Sequence, residues 1–163
     1  MNRNHTTRRT ARTARRVALT TAAIAGLAAF AAPAANAAGF TFDHDDMTMI
    51  TNPASLSFGG VDWGQEIGSN TITGRLTGTL TFHGGLAGCA RVVVKWKNAA
   101  GTVIDTDTTP EVCSQSSLPS FPTTITKTSQ STALRSVTAQ LQVRNLNTNY
   151  QTIATKNAAA GGN

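Results

Sequence analysis

From Gly74 to His83 apolar and polar residues alternate: Leu76, Leu80 and Phe82 share a side with Gly74 and Gly78, and Arg75, Thr77, Thr79, Thr81 and His83 share the other. A period of two over ten residues marks a strand with one face in a core and one in water. After the turn-forming stretch 84–88 the pattern resumes over 90–97, with Val92, Val94 and Trp96 inward and Arg91, Val93, Lys95 and Lys97 outward. The two segments read as a hairpin. A turn at 98–101 and a short strand over 102–106, with Ile104 inward, extend it to a three-strand meander. Residues 107–122 carry Pro110, Pro119 and Pro122 and read as one long connection. Further strands are expected at 123–128, 134–145 and 150–155, the second with Val137, Ala139, Leu141 and Val143 inward. Before Gly74 the pattern is less regular, and Phe40, Phe42, Leu56, Phe58 and Ile67 are the expected core contacts. About seven short strands separated by turns predict an all-β fold, a two-sheet antiparallel β-sandwich.

The N-terminus reads differently. Six arginines and no acid fall within residues 1–16, followed by an Ala-rich apolar run over 17–32, Pro33, and the small-residue triplet Ala35, Asn36, Ala37. This is the three-part plan of a secretory signal peptide, with cleavage expected after Ala37 and no membrane span left afterwards. The expected organisation is a signal peptide over 1–37, one domain over 38–157 and a disordered tail over 158–163. The charge balance changes accordingly. The chain has 14 Lys and Arg against 8 Asp and Glu, but six of the bases belong to the leader, so residues 38–163 carry eight of each. The excess of base that would suggest nucleic acid belongs to the leader, and no nucleic-acid partner is expected.

Export gives the two cysteines their reading. In an oxidising compartment an isolated pair is most simply a disulfide, Cys89 to Cys113, stapling the long connection to the start of a strand. Cys89 has the parity of Arg91 and Lys95, which places the bridge on the rim or outer face and not between the sheets. The rhythm of GRLTGTLTF and GCARVVVKWKNAAGTVID resembles that of immunoglobulin-like and fibronectin type III-like sandwiches. The leader resembles those of small secreted proteins of Streptomyces and related actinobacteria. These resemblances imply a sandwich and a secreted, extracellular location; they imply no activity.

Candidate chemistry is sparse. Asp43, His44, Asp45 and Asp46 form the densest set of ligand-type side chains, but neither the glycine nor the closing glutamate of a calcium-binding loop follows, and no metal or cofactor is assigned. His83 lacks a nucleophile motif, and no catalytic residue is assigned. In the Gly59–Glu66 stretch, Trp63 is a candidate sugar-stacking ring with Asp62 and Gln65 to bond hydroxyls. The outward row Arg91, Lys95 and Lys97, with Arg75 expected beside it, is a candidate surface for an anionic envelope polymer. The stapled segment around Glu111, Val112 and Ser114 is a candidate protease-binding loop. The expected role is non-catalytic surface recognition of a cell-wall polymer, glycan or secreted protein. A small hydrolase and a structural envelope component assembling through a sheet edge are the alternatives.

Overall fold

Among the described residues, ten strands form two antiparallel sheets: β1 Gly39–Asp46, β2 Met49–Ile50, β3 Ala54–Glu66, β4 Ile72–Phe82, β5 Gly88–Lys97, β6 Val103–Thr108, β7 Val112–Ser114, β8 Thr123–Ser131, β9 Ser136–Asn145 and β10 Gln151–Ala159. The description comes from a computed structural model and covers residues 39–161 except 67, 86, 116 and 117, with the side chains of 40–42 and 66 also left out. The expected signal peptide, and the core contacts expected of Phe40, Phe42 and Ile67, lie outside what is described.

One sheet runs β1-β3-β4-β8, with β2 paired to β3; the other runs β10-β9-β5-β6, with β7 paired to β5. The inward residues of both meet in one core, in which Leu56, Val61, Trp63, Leu76, Leu80, Val92, Val94, Trp96, Val137, Ala139 and Leu141 are fully buried. Alternation along each strand produces this directly, since period-two apolar faces have to be covered by another sheet. At the centre the two indoles meet edge to face, 6.4 Å apart and at 84°. They sit over Gly74, where a Cβ would stand 2.6 Å from Trp96 Cζ3 and 3.0 Å from Trp63 Cζ3, so only glycine lets β4 pass.

The expected β4–β5 hairpin does not form. β4 is paired on one side by β3 and on the other by β8, and β5 by β9 and by β6 with β7, so the short link between them crosses from one sheet to the other. Phe82, at the end of β4, exchanges its backbone hydrogen bonds with Ser120 of the long connection. Ile104 also departs from expectation. Trp96 faces Asp105 while Lys97 faces Val103, so Ile104 is the extra residue of a bulge and is partly exposed, and Asp105 takes the inward position instead. At the C-terminus β10 continues to Ala159 with Ala158 buried, and the Ala160 N–H donates to the Arg135 carbonyl; paired chain thus runs past 157, where the tail was expected to begin.

Carboxylates join the sheets at both open sides. Between β1 and β10, Lys156 pairs with Asp46, and the Gly161 N–H donates to Asp43 at 3.0 Å. Between β6 and β8, the Ser129 hydroxyl donates to Asp105 at 3.0 Å, and Lys127 lies 3.7 Å from Asp107. Charges at a sheet edge discourage pairing with another chain.

The disulfide joins Cys89 to Cys113, residues directly opposite each other in the β5–β7 pairing with Cα atoms 4.0 Å apart. It lies within one sheet and turns part of the long connection into strand.

Candidate functional site

The cluster Trp63, Asp62 and Gln65 is divided by the pleat. Trp63 points inward, is 0% exposed, and donates its indole N–H to Asp45 at 2.9 Å. It has no free face for a sugar, which corrects the stacking role expected of it. Gln65 sits two positions further along the same side, exposed at the end of the strand, with its amide donating to the Ser69 carbonyl. Asp62 alone of the three reaches the outer face.

There it forms a row across three strands. Asp62 lies opposite His44 of β1 and Arg75 of β4, with His44 Nδ1 at 2.7 Å from one carboxylate oxygen and Arg75 donating to the other at 3.1 Å. Burial pushes the Asp62 carboxyl up, but the hydrogen bonds from His44 and Arg75 outweigh it and hold it below the usual range. Arg75 therefore belongs to the outer face of the other sheet and does not stand beside Arg91. Phe58, expected in the core, is 88% exposed and has a φ of +51°. The sequence does carry a signal for it: the glycines at 59 and 60 that follow mark a bulge, which breaks the period that would have placed Phe58 inside.

On the outer face of the second sheet the expected row is intact. Arg91, Lys95 and Lys97 all project from β5, opposite Gln142, Thr138 and Ser136 of β9, and each is half-exposed. The Arg91 guanidinium lies 3.6 Å from the centre of the Tyr150 ring and donates to Gln142 at 3.0 Å. Arg144 flanks the same ring at 5.3 Å and pairs with Glu111 at 2.9 Å. Tyr150 and then Arg144 hold the Glu111 carboxyl down, and burial, reinforced by Glu111, pushes the Tyr150 hydroxyl up. Lys95 and Lys97 follow Arg91 further along β5.

Acids and bases are used differently. Every carboxylate among the described side chains has a protein donor: Asp43 from Gly161, Asp45 from Trp63, Asp46 from Lys156, Asp62 from Arg75, Asp105 from Ser129, Asp107 from Trp96 and Glu111 from Arg144. The Lys156 hydrogen bond is the chief cause that lowers the Asp46 carboxyl to about 2. Among the described residues, no ion pair includes Arg91, Lys95 or Lys97. The acidic stretch 43–46 is thus spent on tying β1 to its neighbours. Cys89, Glu111 and Cys113 lie close enough together to suggest a metal site, but the sulfurs are bonded to each other and offer no thiolate.

His83 Nε2 lies 2.9 Å from the Ser55 hydroxyl oxygen; among so many serines the choice of Ser55 depends on the fold and has no local signal. Ser55 is 1% exposed. The protease-binding reading of Glu111, Val112 and Ser114 does not survive: they lie in or beside β7, with Val112 and Ser114 buried and Glu111 engaged by Arg144. No protein-family model matches the chain, and no curated protein matches it.

Proposed function

We propose that this chain is a secreted, non-catalytic recognition protein of the cell envelope, which binds an anionic polymer along the outer face of the β10-β9-β5-β6 sheet. The observation that carries the reading is the segregation of charge. The described carboxylates are taken up by the protein's own donors, whereas Arg91, Lys95 and Lys97 stand in one row with no ion pair among the described residues. Same-face neighbours on a strand are about 7 Å apart, and a repeating polyanion can follow such a row. The disulfide favours the oxidising setting that the leader predicts. The strand orders β3-β4-β8 and β10-β9-β5-β6 follow the A-B-E and G-F-C-C′ orders of immunoglobulin-like sandwiches, with Trp96 on the strand that corresponds to C, and this supports the resemblance in the sequence.

The test is retention of the purified, oxidised protein on immobilised polyphosphate, with neutral dextran as control. Exposed charge contacts are worth up to about 1 kcal/mol each. Lys95→Gln together with Lys97→Gln is therefore expected to weaken binding about tenfold, with wild-type binding falling as salt rises. Wild-type retention that ignores both salt and the double substitution would sink the reading.

A second reading, a small hydrolase, draws on the hydrogen bond between Ser55 and His83. It requires Ser55 to meet a substrate from beneath the imidazole, although its side chain is buried. Labelling of Ser55 by a fluorophosphonate in the folded protein would establish this reading, and an unlabelled Ser55 would remove it.

A further inference from the structure

The most unusual residue in the described fold is Phe58. Ser57 lies opposite Thr79 and Gly60 opposite Thr77, so Phe58 and Gly59 together face the single residue Gly78. Such a bulge inserts one residue and turns the local side chains. Gly59 fills its part of the bulge because a Cβ there would lie 2.7 Å from the Met47 carbonyl oxygen. Phe58 takes the left-handed conformation, at a φ of +51°, which glycine or asparagine adopts with far less strain than an aromatic residue. The ring is 88% exposed, so core packing does not require it.

Its position follows from the topology. On one side of β3 is β4; on the other are β2 and the corner where the Met47 N–H bonds to the Gly59 carbonyl. The inner face of the sheet is packed in the core. A side chain this exposed can therefore stand only on the outer face. Both its backbone conformation and its exposure to water are unfavourable in the free protein. Residues held this way over a rigid scaffold are concentrated at functional sites.

Around the ring the paired strands present hydroxyls. Thr77 lies opposite Gly60 and Thr126, and Thr79 opposite Ser57 and Thr124. Immediately beyond is the row in which the Arg75 guanidinium matches the Asp62 carboxylate. The patch thus combines one apolar ring, a field of neutral hydroxyls, and a planar donor and acceptor at its border whose charges cancel. A charged polymer finds no unbalanced charge here. A sugar ring offers an apolar C–H face for the phenyl group and hydroxyls for the threonines, Asp62 and Arg75.

The geometry points to a binding site for an uncharged polysaccharide on the outer face of the β1-β3-β4-β8 sheet, with Phe58 as its stacking platform. It is separate from the cationic row on the opposite sheet. The role first considered for Trp63 moves to Phe58, while Asp62 keeps the part expected of it.

The experiment is co-sedimentation of the oxidised protein with microcrystalline cellulose, chitin and insoluble starch, at low and high salt, comparing wild type with Phe58→Gly and Phe58→Ala. The expected result is salt-insensitive binding of the wild type to at least one of them and a loss of tenfold or more in both variants. Phe58→Gly should also unfold at an equal or higher denaturant concentration, because it relieves the left-handed strain. Wild-type binding to none of the three would overturn the proposal, as would binding unchanged by Phe58→Gly. A fall in the unfolding midpoint of Phe58→Gly would also overturn it, since Phe58 would then serve the fold. Salt-sensitive binding that survives Phe58→Gly and is lost with Lys95→Gln and Lys97→Gln would reject this site and leave the cationic face standing.

Discussion

Replacing Trp63 with alanine is expected to lower the free energy of unfolding by about 3–5 kcal/mol, the range for removing a large aromatic residue from a core. The indole is fully buried, meets Trp96 edge to face, and lies over Gly74 of β4, where a Cβ would clash with both indoles. Its neighbours have little freedom to collapse into the space, because Gly74 cannot supply atoms and Trp96 is held by its own bond to Asp107 at 3.1 Å. The substitution also takes the indole donor from Asp45. Trp63→Phe separates the two contributions: it keeps most of the ring and loses the N–H, so a smaller cost of about 1–2 kcal/mol is expected from the hydrogen bond. Denaturant unfolding followed by fluorescence and circular dichroism measures both. A loss below about 1 kcal/mol for Trp63→Ala would contradict the packing described. With a total stability of about 5–15 kcal/mol typical of domains, any binding lost in Trp63→Ala would report unfolding.

The same residue shows where the sequence was legible and where it was not. In β4 the period of two is unbroken; in β5 and β9 the inward residues Val92, Val94, Trp96, Val137, Ala139 and Leu141 are buried as read, but Val93 and Thr138, read as outward, are buried as well, and Val143, read as inward, is only partly buried. The cysteine pair was legible for a different reason: it needed only an isolated even pair and the oxidising setting that the leader implies. In β3 the inward set is Leu56 and then Val61 and Trp63, and the parity changes across Phe58 and Gly59. A reading that assumes constant alternation cannot follow a bulge, so Phe58 is placed inside and a 13-residue strand looks irregular. β6 repeats the lesson on a smaller scale with Ile104.

Sheet membership was hidden for another reason. The link after β4 is short and glycine-rich, as a hairpin turn would be, with Gly84 and Gly85 both at positive φ. What keeps β4 from pairing with β5 lies far along the chain: β8 occupies the edge of β4, and β9 that of β5. Local pattern specifies a strand and its faces, whereas the choice of neighbour is settled by competition among all of them. The candidate surfaces inherit this distinction. The row Arg91, Lys95, Lys97 lies on one strand and was visible; the row His44, Asp62, Arg75 spans three strands and depends on the register between them.

Removing the disulfide by the double substitution Cys89→Ala and Cys113→Ala is expected to cost about 2–5 kcal/mol, seen as an earlier midpoint in denaturant unfolding. The bridge closes a sequence separation of 24 residues, a loop for which the chain-entropy argument gives roughly 3–4 kcal/mol at 25 °C. The native side of the balance adds to the effect. β7 is three residues long and pairs only with the first residues of β5, too short to hold its place by backbone hydrogen bonds alone. Val112 is buried from it, and Glu111 just before it meets Arg144 beside Tyr150. If those contacts position β7 without the bridge, the double variant will lose less than about 1 kcal/mol. If the bridge positions it, the ion pair should loosen with it, and Tyr150 should titrate nearer its ordinary value in the variant than in the oxidised protein, because burial and then Glu111 hold it up. Absorbance titration of Tyr150, the chain's single tyrosine, thus reads the local consequence while unfolding reads the global one. A large loss of stability with an unchanged tyrosine titration would assign the disulfide's effect to the unfolded chain, and a shift in both would assign part of it to the native placement of β7.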